Sequence, residues 1–302
     1  MNLGINIHSD WEGCPNIRWL RDNTIVRNVR IDFPCNSTLG NAKMLAQLSD
    51  VLRELDFAEH VMIHVGYLDD CTPADFERFS TYIYYVVGRL VHFGFAERST
   101  IELWNNVNIE KYWPWGQAKF KKLLAHIQPA IDHAKESGIQ VAGFSITLDA
   151  GNGWDWLSGL RDNLAHLDYL TVQIYPTFYT TYEDMVNRLR TNYQDHWFAI
   201  AETGAEGKAG DQLCKYRQLM RDVEKHTPNI PVYIYHLFYV RKDSYELITW
   251  KDGKITEKPA IKYLKRIFSL AELEADYPKD MYCSNQSNIF KKIICFLKKL
   301  FS

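Results

Sequence analysis

Short apolar runs recur along the chain and alternate with stretches whose apolar residues fall at helical spacing. Eight runs read as strands: Leu3–Ile7, Val26–Phe33, His60–Val65, Thr100–Trp104, Gln140–Leu148, Leu167–Tyr175, Trp197–Glu202 and Pro231–Phe238. Most are apolar without clean alternation, as expected of parallel strands covered on both faces. Between them, Ala42–Leu55 sets Leu45, Leu48, Leu52 and Leu55 on one helix face. Pro73 marks a first helical turn ahead of Phe76, Phe79, Ile83, Val86 and Val87, and Phe120–Ser137 runs into Gly138, a usual helix stop. Tyr182–Tyr193, Asp211–Lys225 and Pro259–Leu270 complete the helices, with a shorter one over Trp154–His166. Eight strands in strict alternation with helices predict an α/β fold, and eight is the number that closes a (β/α)8 barrel, here residues 1–270. A doubly wound open sheet is the alternative. It usually has fewer strands, and no G-x-G-x-x-G follows the first strand.

After Leu270 the pattern changes. Residues 271–287 are polar and irregular and read as a linker. Residues 288–302 place Ile289, Phe290, Ile293, Ile294, Phe296, Leu297, Leu300 and Phe301 against Lys291, Lys292, Lys298 and Lys299, a basic amphipathic helix. Such a tail packs on the barrel or on a second copy, or it rests on an anionic membrane surface, where each Lys contributes ~1 kcal/mol.

Composition narrows the function classes. The chain has 302 residues, 46% hydrophobic and 24% charged, with a net charge of −2. No basic block stands in the main body, which argues against a nucleic-acid partner. Nine Trp, 18 Tyr and 15 Phe permit stacking on sugar rings, as they permit an aromatic core. The six cysteines form no metal-ligand spacing and read as scattered thiols of a reducing compartment. The first strand begins almost at once, without a signal-peptide pattern, and no run is long enough to span a membrane. The expected location is cytoplasmic, peripheral at the inner membrane face if the tail binds there. No metal or cofactor is implied by any His, Cys or acidic spacing.

Barrel enzymes carry their chemistry at the C-terminal ends of the strands. Those ends offer Arg30 and Asp32, His64, the segment Glu102-Leu103-Trp104-Asn105-Asn106-Val107-Asn108, Asp149, Gln173 and Tyr175, Glu202, and His236 with Phe238. So many polar groups on one rim predict a site. Each residue also has a plainer reading. Glu202 could cap a loop, and His64 and His236 could be hydrogen-bonded core histidines. Tyr175 could plug the barrel, and Trp113, Trp115, Trp154 and Trp156 could be buried loop anchors. Glu102 is expected to point away from the mouth, in a structural role, because alternate strand residues face opposite sides.

The strand-4 and strand-7 segments resemble those of the large clan (clan A) of barrel glycoside hydrolases, which carries its catalytic glutamates there. The clan's strand 4 typically reads E-x-W-N-E-P-N and its strand 7 approximately [ILV]-x-E-[TSF]-G. Here they read Glu102 to Asn108 and Ile200-Ala201-Glu202-Thr203-Gly204. Arg30-Ile31-Asp32-Phe33 resembles the clan's strand-2 arginine segment, and Tyr175 its strand-6 tyrosine. Asp252-Gly253-Lys254 with Lys258-Pro259-Ala260 resembles its lead into the last helix. The resemblance covers about residues 1–270 and implies a retaining mechanism with Glu202 as nucleophile. Tyr175 and Arg30 would hold it as a carboxylate, and Asn105 would donate to the sugar 2-OH. A sugar site would further draw on His64, Trp104, Trp113, Trp154 and His236.

The acid/base position departs from the clan, because Asn106 and Val107 stand where it has Glu and Pro. An amide has no proton to titrate, and losing a general acid costs ~10²–10⁴-fold in rate. Glu110, Asp149, Glu206 or Asp32 could substitute, the leaving group could need no acid, or hydrolysis could have given way to sugar binding. The expectation is a glycoside hydrolase acting on a poly- or oligosaccharide. The alternative is a catalytically inactive carbohydrate-binding barrel.

Overall fold

A computed structural model describes residues 2–7, 15–33, 35, 41–66, 68, 70–177, 180–207, 209–235, 237, 245–251 and 254–269. The expected linker and tail (271–302), His236 and Phe238 lie outside the described residues.

The chain folds as a (β/α)8 barrel. In order come β1 (Asn2–Ile7), α1 (Pro15–Asn23), β2 (Asn28–Asp32), α2 (Asn41–Glu54), β3 (His60–His64), α3 (Pro73–His92) and β4 (Ser99–Glu102). Then follow α4 (Gly116–Glu136), β5 (Gln140–Thr147), α5 (Gly153–Gly159), α6 (Arg161–Leu164), β6 (Tyr169–Gln173), α7 (Tyr182–Asn192) and β7 (Phe198–Thr203). Last are α8 (Ala209–His226), β8 (Pro231–Ile234), β9 (Ile248–Lys251), β10 (Lys254–Glu257) and α9 (Pro259–Phe268). Strands β1 to β8 pair in sequence order, and β1 closes the barrel on β8 through Leu3 opposite Val232 and Ile5 opposite Ile234.

Local sequence sets the helix starts. At α3, Thr72 accepts from the Asp75 amide while the Asp75 carboxylate accepts from the Thr72 amide, with Pro73 in the first turn. Thr181 and Asp184 repeat this reciprocal cap at α7. After α4, Gly138 takes a φ of +79°, a conformation that favours glycine. The faces carrying Phe76, Phe79, Ile83, Val86 and Val87 on α3, and Phe120, Leu123, Leu124, Ile127 and Ile131 on α4, are buried. All eight expected strands are present. Helix α1 and the β9–β10 hairpin are additional. The single helix expected over Trp154–His166 is two, α5 and α6, broken at Leu160.

Inside the barrel, even-numbered residues of β2 to β4 face inward with odd-numbered residues of β6 and β8. The lower end is polar yet uncharged. His60 Nδ1 lies 3.0 Å from the Tyr233 hydroxyl, and His60 Nε2 lies 3.0 Å from Thr100 Oγ1. Tyr169 donates to the same Thr100 oxygen at 2.7 Å. These partners suit a neutral imidazole that donates through Nε2 and accepts through Nδ1. Gly4 makes room for the layer, since a Cβ there would stand 2.5 Å from the Tyr233 ring. Among the described residues, no helix is long and apolar enough to cross a membrane.

Burial pushes the His60 pKa down to about 4. An unfolded chain binds this proton near pH 6.5, whereas the folded chain resists it until about pH 4. Stability should therefore fall as pH drops through that window, by up to about 3 kcal/mol from this group alone. Denaturant unfolding across pH 4 to 7 should show this slope flattened in His60→Gln. An unchanged slope would assign the acid sensitivity elsewhere.

Candidate active site

At the upper, C-terminal end of the barrel the interior becomes charged. Arg30 on β2 is fully buried and reaches across the barrel. Its Nε and Nη2 lie 2.8 and 2.5 Å from Glu102 Oε2 on β4. Its Nη1 donates to Glu202 Oε1 on β7 at 2.8 Å, and Nη2 donates to Asn105 Oδ1 at 3.2 Å. Asp32 Oδ1 stands 3.6 Å from the same Nη1. Burial alone would lower the Arg30 pKa, but Glu102, Glu202 and Asp32 more than offset it and raise it above the ordinary value.

The second Glu202 oxygen accepts from the Tyr175 hydroxyl at 3.0 Å. Burial and the adjacent Glu202 raise the Tyr175 phenol well above its ordinary pKa, so it stays a neutral donor. Tyr175 stands edge-on to Tyr235 and Tyr245, ring centres 5.9 and 5.6 Å away. Glu202 is 2% exposed, with a donor on each oxygen and aromatic rings around its tyrosine partner.

Asn105 and Asn106 follow β4. Asn105 Oδ1 accepts from both Arg30 and Gln173 Nε2, the latter at 2.5 Å, which turns the Asn105 amide NH2 away from them. Asn106 takes a φ of +56°, a region where Asn is among the better tolerated side chains. Its amide N–H donates to Ser145 O at 3.0 Å, and its side-chain oxygen accepts from Thr147 Oγ1. Asn108 fastens this loop to β5. Its Oδ1 accepts from the Thr147 amide at 3.0 Å, and its Nδ2 donates to Thr147 O at 3.0 Å.

The structure thus gathers Arg30, Asn105, Asn106, Tyr175 and Glu202 into one hydrogen-bonded constellation. His64 lies beside it, its Nδ1 3.3 Å from Asp32 Oδ1. His236 lies outside the described residues. The expectations for Trp104, Trp113 and Glu102 need correction. Trp104 and Trp113 are each 2% exposed and pack edge-on with each other and with Phe120, so both belong to the core between barrel and helices. Trp154 is part-buried, its ring covered by the Arg188 guanidinium at 4.1 Å. Glu102 faces into the barrel and grips Arg30 rather than pointing away. It occupies the same inward register as Thr100, and the site's charged partner lies within its reach. Gln173 and Asn108, both offered by the strand ends, join the site through these contacts, and Thr147, Ser145 and Tyr245 are additional parts of it. No motif marks them, although period-two alternation on β5 and β6 puts Thr147 and Gln173 on the inner face.

No protein-family profile and no curated protein matches the chain. Solved structures share its fold. A GH39 enzyme from Xanthomonas axonopodis pv. citri superposes with a TM-score of 0.64 at 14% identity, over 89% of this chain and 66% of that one. The GH53 catalytic domain of Ignisphaera aggregans gives 0.59 at 16% identity, over 88% and 91%. Cel5A (EG2) from Hypocrea jecorina gives 0.57 at 10% identity, over 86% and 96%. These neighbours are glycoside hydrolases, and at such identities the likeness is one of fold. The chain spans just under two thirds of the GH39 enzyme.

Removing the guanidinium would leave Glu102 and Glu202 facing each other without a cation. Arg30→Met should therefore cost about 3–5 kcal/mol of folding stability in denaturant unfolding. A loss under about 1 kcal/mol would show that the ion cluster is not what holds this end of the barrel.

Proposed function

We propose that this chain cleaves glycosidic bonds of a poly- or oligosaccharide by double displacement, with Glu202 as nucleophile. The observation that carries the reading is the treatment of Glu202: a single carboxylate at the end of β7, with one oxygen on a buried guanidinium and the other on a phenol. Two fixed donors hold the carboxylate in one orientation at the mouth, as attack on an anomeric carbon requires. The glycoside-hydrolase fold neighbours and the strand-4 and strand-7 motifs supply the reaction class. Asn105, its amide oxygen held by Arg30 and Gln173, offers its NH2 to a sugar hydroxyl. Asn6 and His64 support a hydroxyl-rich ligand, since the Asn6 amide and His64 Nε2 are buried with no hydrogen-bond partner among the described residues.

Asn106 favours a second reading, a sugar-binding barrel without hydrolysis, because its amide cannot protonate a leaving group. Incubation with 2-deoxy-2-fluoro glycosyl fluorides of glucose, galactose, mannose, xylose and glucuronic acid separates the two. These reagents need little acid assistance. Intact mass should show one stable adduct, mapped to Glu202 and absent in Glu202→Gln. Binding of a sugar without any adduct would support the binding barrel.

The amphipathic pattern of residues 288–302 supports a peripheral, cytoplasmic-face contact with anionic lipid as part of the same proposal. Deleting those residues should abolish sedimentation with phosphatidylglycerol vesicles. Unchanged sedimentation would dispose of the contact.

A further inference from the structure

If Glu202 displaces the leaving group, some group must protonate it, and Asn106 cannot. The four carboxyl groups near the mouth differ in position. Asp32 stands 3.6 Å from the Arg30 cation, which favours keeping its charge rather than giving up a proton. Glu206 follows Glu202 by four residues and leaves the barrel on the nucleophile's own side. Glu110 is exposed, two residues beyond the Asn108 that fastens the loop to β5.

Asp149 is placed differently. It follows β5, the strand beside β4, so it rises next to the position where Asn106 stands. Its backbone is fixed from below: Asn108 holds Thr147 on both amide and carbonyl, and Leu148 N–H donates to Gln173 O at 3.1 Å. Thr147, two residues earlier, is the residue whose hydroxyl donates to Asn106. The Asp149 carboxylate accepts from the backbone N–H of Tyr175. Tyr175 therefore touches both acids, Asp149 through its backbone and Glu202 through its hydroxyl. Asp149 is also exposed, as a group that must meet substrate has to be.

We propose that Asp149 is the proton donor and acceptor that replaces Asn106, an assignment that rests on the reading of Glu202 as nucleophile. In the first step the Asp149 carboxylic acid gives its proton to the glycosidic oxygen. The bond from that oxygen to the anomeric carbon breaks, its electron pair leaving with the aglycone, while a Glu202 oxygen forms an ester to the anomeric carbon. In the second step the Asp149 carboxylate takes a proton from water. The water oxygen bonds to the anomeric carbon, and Glu202 leaves as a carboxylate. Partial burial of the carboxyl raises the Asp149 pKa from its ordinary value, offset in part by its own N–H and that of Tyr175, and this is the direction a proton donor needs.

The test uses the full chain with phenyl and 2,4-dinitrophenyl glycosides of the five sugars named above, on wild type, Asp149→Asn, Asp149→Ala, Glu110→Gln and Asp32→Asn. Phenol is a poor leaving group and dinitrophenol a good one. Both Asp149 variants should lose ~100-fold or more on phenyl glycosides. Both should keep the wild-type burst on dinitrophenyl glycosides, which also shows that they fold, and then stall with the glycosyl-enzyme loaded. Azide should restore turnover of Asp149→Ala and yield the glycosyl azide, because an anion needs no base. Equal losses on both leaving groups, no loss, or azide rescue confined to the Glu110 or Asp32 variant would overturn the assignment while leaving Glu202 intact. A wild type that neither turns over any glycoside nor labels at Glu202 would overturn the hydrolase reading, and this assignment with it.

Discussion

The site depends on one buried cation. Arg30 sits fully inside the barrel and is shared between Glu102 below and Glu202 above. An isolated guanidinium in that position would be strongly unfavourable, and so would either carboxylate alone. Together they are held by a rigid fork, whose planar donors fix where each oxygen lies. Because the partners come from β2, β4 and β7, this one side chain ties together strands that are not neighbours in the sheet. The position of the Glu202 carboxylate is thereby set by the barrel itself and not by a loop.

From that cation a chain of neutral hydrogen bonds runs to the departure from the clan's pattern. Arg30 and Gln173 orient Asn105. Gln173 and Asn106 both lie within reach of Thr147 Oγ1, and Asn108 holds Thr147 in place. Asn106 is built into this chain. Its backbone lies in the left-handed region, its N–H is taken by Ser145 O, and its amide oxygen is taken by Thr147. Placing Glu at 106 would put a longer, less tolerated side chain on a left-handed backbone and carry the acceptor one methylene away from where Thr147 meets it. Asn106 is thus a structural joint between β4 and β5, and under the proposed hydrolysis the proton would come from elsewhere on the rim.

The fold was readable because its signals are local and repeated. Eight apolar runs, Pro73 and Gly138 each act within a few residues, and they gave the barrel with most of its helices. Where a motif marked residues, as for Glu202, Tyr175, Arg30 and Asn105, the structure brings them into contact. The site was misread where side-chain direction mattered. Trp104 lies one residue from Asn105 yet faces α3 and α4, because the chain has left β4 and adjacent positions turn to opposite sides. Glu102 was misjudged by the same parity: its inward neighbour is Thr100, which only the contacts with His60 and Tyr169 reveal. Gln173 and Thr147 are single uncharged residues on β6 and β5. Their importance lies in what they touch, which no linear pattern records.

A buried ion cluster is weak evidence for stability, since replacing such groups with well-packed apolar residues is often neutral or favourable. The lower half of the same barrel shows that this chain fills interior space without charge, using His60, Thr100, Tyr169 and Tyr233. The charged upper half is therefore not forced by the fold. Stability alone gives no reason to place a cation and two carboxylates there, nor to aim a phenol at the second oxygen of Glu202. A site that only bound neutral sugar hydroxyls could use amides and hydroxyls throughout, as the Asn105–Gln173–Thr147 chain already does. A carboxylate held by a cation and a phenol at the mouth fits the proposed displacement at carbon. The physical balance thus favours a reacting Glu202 over a relic, and makes the source of the proton the question on which the mechanism turns.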